Sequence, residues 1–174
     1  KQVHGTAPIQ VDDVDSVVAG DAAFSQRPGT VCTVLVADCL PVLLCDRAGS
    51  VVGVAHAGWR GLAAGVIERT VSSMGSRQTP LMAWLGPAIG PDHFEVGDEV
   101  RQAFIEHDQN AALAFAPREN KKWLADLYLL ARQRLAAAGV TEVYGGGECT
   151  FSDPARFFSY RRDGNTGNTG RIAG

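Results

Sequence analysis

A chain of 174 residues, 45% hydrophobic and 20% charged, is long enough for one domain with a sizeable core and unlike a disordered chain in composition. A formal charge of −3 and a pI near 5.8 give no electrostatic reason to expect nucleic acid or an anionic membrane as partner. The longest apolar run, Val34 to Cys45, is broken by Asp38 and Pro41 and falls well short of the ~20 residues that span a bilayer.

In chain order, the first residue is Lys1 and no signal-peptide pattern follows it. Val31 to Cys45, rich in Val, Leu and Thr, predicts a buried strand, Asp46 to Gly49 a turn, and Val51 to Ala55 a second strand, together a β-hairpin. Beyond Gly58, Ala63, Val66, Ile67, Thr70, Val71 and Met74 line one face of a helix that Gly75 is placed to stop. Leu81 to Leu85 reads as a strand and Gly86 to Pro91 as a turn-rich stretch. Two further helices are predicted, Gly97 to His107 with Val100, Ala103 and Phe104 buried, and Lys122 to Ala138 with Leu124, Leu127, Ala131, Leu135 and Ala138 on one stripe before Gly139. Val140 to Tyr144 and Phe157 to Tyr160 complete the list as strands. A hairpin with interspersed helices predicts a single domain with a mixed sheet covered by helices. Neither GxGxxG nor GxxxxGK[ST] occurs, which removes the standard dinucleotide and P-loop readings.

Four cysteines, Cys32, Cys39, Cys45 and Cys149, form no CxxC pair and are too few for a disulfide scaffold, so reduced thiols in the cytoplasm are expected. If Asp46 to Gly49 is the hairpin loop, Cys45 lies opposite Ser50 and, further along the ladder, Cys39 lies opposite His56. Directly opposed residues have Cβ atoms about 4.5–5.5 Å apart, a separation that suits two ligands of one metal. A lone buried cysteine is more often core filling, and a third ligand must come from elsewhere. His4, His93 and His107 are the candidates, and spacing does not choose among them; His107 reads as a helix C-terminal residue and His93 as a solvated turn residue.

Six motifs carry a resemblance. Gln2-Val3-His4-Gly5, Ala37-Asp38-Cys39-Leu40-Pro41, Ala55-His56-Ala57-Gly58-Trp59-Arg60-Gly61, Leu85-Gly86-Pro87-Ala88-Ile89-Gly90-Pro91, Cys149-Thr150 and Phe157-Phe158-Ser159-Tyr160-Arg161-Arg162-Asp163-Gly164 follow one another in that order. In this the chain closely resembles the YfiH family, also called the laccase-domain or polyphenol oxidase family, over essentially its whole length. The resemblance implies an α-β-β-α layered fold shared with Cys-His toxin deamidases and a zinc ion, with copper as an alternative, held by His4, Cys39 and His56. It also implies a segment with a TTR-x-GG-x-S-like motif ahead of Gln2, so 1–174 is expected to be one domain lacking that segment, with its arginine and serine. Asn165 to Arg171 reads as longer than the family's xTGR, and a terminal strand is expected to be missing.

Three protein ligands leave a fourth zinc position for water or substrate, where a metal lowers the pKa of water or polarises an oxygen. Asp38, beside Cys39, is placed to orient a ligand or act as general base. Arg60, where Gly58 and Gly61 lead into a helix, is a candidate anion-binding group, with Arg161 and Arg162. Trp59, Phe158 and Tyr160 suit either ring stacking or core packing. The resemblance implies purine nucleoside chemistry: phosphorolysis of adenosine, inosine, guanosine or methylthioadenosine, and deamination of adenosine; charge and hydropathy add the expectation of no nucleic acid and no membrane as partner. Copper-dependent phenol oxidation is the first rival, weakened by four histidines and no HxH pair. A cysteine hydrolase with Cys39 as nucleophile and His56 as base, acting as an amidase on peptidoglycan precursors, is the second. The third is a metal-sequestering or partner-binding module without turnover. Nothing in the sequence sets the oligomeric state.

Overall fold

The computed structural model describes residues 1–75 and 79–164. Asn165 to Arg171, set apart above, lies outside the described residues. The strands are β1 (Pro8–Gln10), β2 (Ala22–Ser25), β3 (Leu40–Asp46), β4 (Val52–Ala57), β5 (Leu81–Leu85), β6 (Glu95–Gly97), β7 (Phe115–Pro117), β8 (Lys122–Ala125) and β9 (Glu142–Gly145). The α-helices are α1 (Trp59–Ala63), α2 (Val66–Ser73), α3 (Asp98–Ile105), α4 (Leu127–Ala137) and α5 (Tyr160–Asp163). Strands form a six-stranded sheet in the order β1-β2-β4-β3-β5-β9 and a three-stranded sheet in the order β6-β8-β7. The large sheet is mixed, with β1 parallel to β2 and β5 parallel to β9, and its other pairs are antiparallel. This is the mixed α/β architecture expected of the sequence.

One face of the large sheet carries the core. Leu40, Val42 and Leu44 of β3, Ala55 and Ala57 of β4 and Ala83 and Leu85 of β5 are buried with Leu62, Ile67, Leu130 and Leu135 of the helices. Each leucine, isoleucine or valine among them contributes roughly 1.5–3 kcal/mol when fully buried. The opposite face presents Leu43, Trp84 and Tyr144, paired across β3, β5 and β9, to solvent.

Five expectations need correction. First, Val31 to Ala37 is not strand: it runs irregularly and half exposed, and its Leu35 bonds both ways to the side chain of Gln2, which stands in for a neighbouring strand. Second, the hairpin closes one residue later at each end, with Arg47 to Ser50 as its loop and Cys45 opposite Val52. Asp46 is a strand residue, and its buried carboxylate accepts hydrogen bonds from Ser50 N, Ser50 Oγ and Val51 N, which fixes that loop. Third, the helix before Gly75 is two helices, broken where Gly65 takes φ +94, a conformation open to glycine. Its apolar stripe is nonetheless buried from Ala63 to Met74.

Fourth, Lys122 to Ala125 is strand β8, and α4 begins only after Asp126, whose side chain accepts a hydrogen bond from Leu129 N. Asn120 and Lys121, both at positive φ, turn β7 back onto β8, the pattern of a tight hairpin turn. Similarly, Phe157–Tyr160 is not a strand, because Ser159 caps α5 by accepting from Arg162 N. Pro41 sits where β3 already pairs with β4, one residue before pairing with β5 begins at Val42.

Candidate metal centre

The donor atoms of His4, Cys39 and His56 all lie within 4.8 Å of one another. His56 comes from the end of β4, Cys39 from the residue before β3, and His4 from the N-terminal loop. The observed register puts Pro41, not Cys39, opposite His56. The offset from the expected pairing is two residues, so Cys39 keeps the same face and becomes a diagonal neighbour. Cys39 is therefore one step beyond the ladder, opposite Gly58. A Cβ built on Gly58 would stand 2.8 Å from Cys39 Sγ and 3.4 Å from His4 Cδ2. The glycine is what lets three donors from three segments meet. The rings of His4 and His56 meet edge to face, centroids 4.8 Å apart.

Two aspartates organise the surroundings. Asp21, at the head of β2, is fully buried at 0% exposure. Its carboxylate accepts hydrogen bonds from the amides of Val3 (3.0 Å), His4 (2.9 Å) and Gly5 (2.7 Å), and its Oδ1 lies 2.9 Å from His56 Nδ1. Burial would raise its pKa, but the bonds from His56 and the three amides outweigh that and hold it below the usual carboxylate range. Sequence reasoning missed Asp21. The only signal was an ionisable residue directly ahead of the apolar Ala22–Phe24, in a stretch for which no element had been predicted.

Asp38 precedes Cys39 at φ +78 and is buried. Its Oδ1 accepts from Thr150 Oγ1 at 2.6 Å, and its Oδ2 accepts from Ser159 Oγ at 3.0 Å and Arg161 N at 2.7 Å. Both oxygens thus accept hydrogen bonds, which tie Asp38 to Thr150, Ser159 and Arg161. Thr150 and Ser159, inside quoted motifs, had been given no role.

Burial, helped by the charges of Asp38 and Asp21 and opposed by Arg60, pushes the Cys39 thiol up to about 11. Burial lowers the pKa of His56, against the opposing pull of Asp21, so its ring is neutral near pH 7. Arg60 is exposed and lies over the Trp59 ring at 4.4 Å. Arg161 donates to Glu95 O, and Arg162 is taken up by the carbonyls of Thr150, Phe151 and Phe157 and by Asp163. Trp59 packs on the core, whereas Phe158 and Tyr160 are exposed. Of the other histidines, His93 stacks on Phe151 at 4.6 Å, so it is half-buried and not solvated as expected, and His107 is exposed beyond α3.

One sulfur and two nitrogens at this spacing fit a single ion with a free coordination position. Among the described residues no second group of donors for a further ion is found. No described helix is long and apolar enough to cross a membrane.

A family model described as multi-copper polyphenol oxidoreductase laccase matches residues 1–174. A purine nucleoside phosphorylase of Pseudomonas aeruginosa is 56% identical over 167 residues, covering 95% of this chain and 69% of the relative. The purine nucleoside phosphorylase YfiH of Escherichia coli is 53% identical over 168 residues, covering 96% and 69%. A Neisseria meningitidis crystal structure superposes with a TM-score of 0.89 at 47% identity, over 94% of this chain and 68% of that one. A Bacillus licheniformis structure titled hypothetical protein YfiH gives 0.84 at 30% identity, over 93% and 67%.

Proposed function

The chain belongs to the laccase-domain family, with relatives named purine nucleoside phosphorylase YfiH, and from that premise we propose that it is a zinc-dependent purine nucleoside phosphorylase that also deaminates adenosine. The observation that carries the metal is the convergence of His4, Cys39 and His56 within 4.8 Å. Bound there, zinc would polarise a substrate oxygen or lower the pKa of a water. In phosphorolysis the bond between ribose C1′ and the base breaks, a phosphate oxygen bonds to C1′, and the leaving base takes up a proton. In deamination, water replaces the amino group of adenosine, giving inosine and ammonia. Arg60, exposed and 4.4 Å over the Trp59 ring, is the guanidinium best disposed to meet an incoming phosphate, with Arg161 of α5 as its second. Arg162 braces the segment 150–157 that leads into α5, donating to the carbonyls of Thr150, Phe151 and Phe157. Because a thiolate ligand needs Cys39 reduced, the reading suits a cytoplasmic enzyme.

The thiol of Cys39 argues against the amidase. A cysteine nucleophile is activated by a lowered pKa or by an adjacent base, and burial here pushes the thiol the other way, up to about 11. A cation at the site reverses that pressure, since a coordinating thiol is deprotonated. Copper relay chemistry calls for several clustered ions, and the donors found suit one. The test is mass-spectrometric analysis of products from the zinc-loaded whole gene product incubated with adenosine and phosphate. Adenine with ribose 1-phosphate, or inosine, is expected from the native protein and not from Cys39→Ala. Intact adenosine in both reactions would sink the proposal.

A further inference from the structure

We infer that Asp21 is the positioning residue of the metal centre: one buried carboxylate fixes the tautomer of His56 and the backbone of His4 together, so that both imidazoles are aimed before an ion arrives. The inference rests on the metal-centre reading above and adds to it a residue outside the donor set.

The argument begins with what a buried, ionised carboxylate can do. It has only acceptor oxygens. Facing Asp21 Oδ1 at 2.9 Å, His56 Nδ1 must therefore carry its proton, which leaves the lone pair on Nε2 for a metal. The same carboxylate gathers three consecutive amides, Val3, His4 and Gly5, at 2.7 to 3.0 Å. Such a run of N–H groups on one anion is a backbone nest. It holds His4 at φ +57, a left-handed conformation uncommon among residues other than glycine, in which Asn, Asp and His are the most frequent exceptions. The main chain joins in, because His56 N donates to Asp21 O at 2.7 Å. One residue thus connects the loop bearing His4 to the strand end bearing His56, across sequence separations of 17 and 35.

Asp21→Asn keeps the shape and removes the second acceptor. The amide oxygen must take the Oδ2 place, because the Val3 and Gly5 amides there can only donate. The NH2 group then faces the His4 amide, which can only donate and loses its acceptor, and His56 Nδ1, the one neighbour able to become an acceptor by changing tautomer. The proton moves to Nε2 and blocks the donor that the metal needs. Loss of such an outer partner typically lowers metal affinity about 10–100-fold.

Two measurements test this. Long-range proton–nitrogen correlation spectra of the metal-free protein report the His56 tautomer, and competition with a chromophoric chelator reports the zinc dissociation constant. The native protein is expected to carry the His56 proton on Nδ1. Asp21→Asn is expected to carry it on Nε2 and to bind zinc about 10–100-fold more weakly. A native His56 protonated on Nε2 overturns the inference even if the variant fails to fold. Equal zinc affinity in native protein and folded variant overturns it too, while leaving the metal centre standing. A native protein that binds no zinc overturns the metal centre itself, and Asp21's role with it.

Discussion

Cys39 and His56 reach the same centre with opposite proton demands. Burial raises the thiol to about 11, and burial lowers the imidazole. At pH 7.5 the metal-free site therefore holds a protonated thiol beside a neutral His56. Binding of zinc as a thiolate complex must expel the Cys39 proton. Calorimetric zinc titrations in buffers of different ionisation enthalpy are expected to show that release, and none would contradict ligation by Cys39. The same shifts set a stability profile for the metal-free protein. His56 binds protons less readily folded than unfolded, so its contribution is lost as pH falls below about 6.5. Cys39 holds its proton more tightly folded than unfolded, so its contribution is lost as pH rises from 9.0 towards about 11. Thermal melts should be highest between those limits, and a midpoint still rising above pH 9 would contradict the assignment. Gly58 lies at φ −63, so Gly58→Ala strains no backbone and acts only through the Cβ that would press on Cys39 Sγ. Weaker zinc binding with a folded circular dichroism spectrum is the expected result.

At the level of elements, short pieces are held by side chains that finish them. Asp126 ends β8 and starts α4 within one residue, accepting from Leu129 N at 2.9 Å. Asp126→Ala should lower unfolding free energy by about 1 kcal/mol, measured by urea denaturation. Asp46 plays the corresponding part for the β3–β4 hairpin, and its bond from Ser50 Oγ, with those from the Ser50 and Val51 amides, holds its carboxyl below the usual range against burial. The loop it fixes sets the register, and the register sets which residue stands across from His56. A hairpin closing one residue earlier would have put Cys39 there directly; the one observed leaves Cys39 diagonal, with Gly58 giving it room.

Across the whole molecule, Asp38 does what no local element can. Next to Cys39 in the chain, it bonds to Thr150, Ser159 and Arg161, between 112 and 123 residues away. Ile89 N donates to Asp38 O, which brings the Gly86–Pro91 turn to the same point. Asp38→Ala would leave two hydroxyls and an amide without their acceptor, and should cost about 1–3 kcal/mol of stability. A broader urea transition with earlier exposure of the C-terminal segment, followed by hydrogen exchange at Phe157 to Arg162, is the expected signature. Arg134 provides a second long tie, from α4 to Glu68 of α2 and to Ala63 O at the end of α1. The paired helices and the large sheet are thereby locked around one core.

What the sequence determined by itself was periodic or chemical. The stripe from Ala63 to Met74, the strand Leu81–Leu85 and the core positions Leu127, Ala131 and Leu135 could be read because burial repeats with the period of the element that carries it. The donor types and the family motifs were equally local, since each is a few residues long. Tertiary structure decided what depends on partners distant in the chain. Val31 to Ala37 has the composition of a strand but no neighbour to complete its ladder, and Lys122 to Ala125 fits a helix stripe yet finds two strands to pair with. Asp21 looked like any polar residue beside an apolar run. Its importance came from the convergence of His56 and three amides on its carboxylate, a closure that only the folded chain makes.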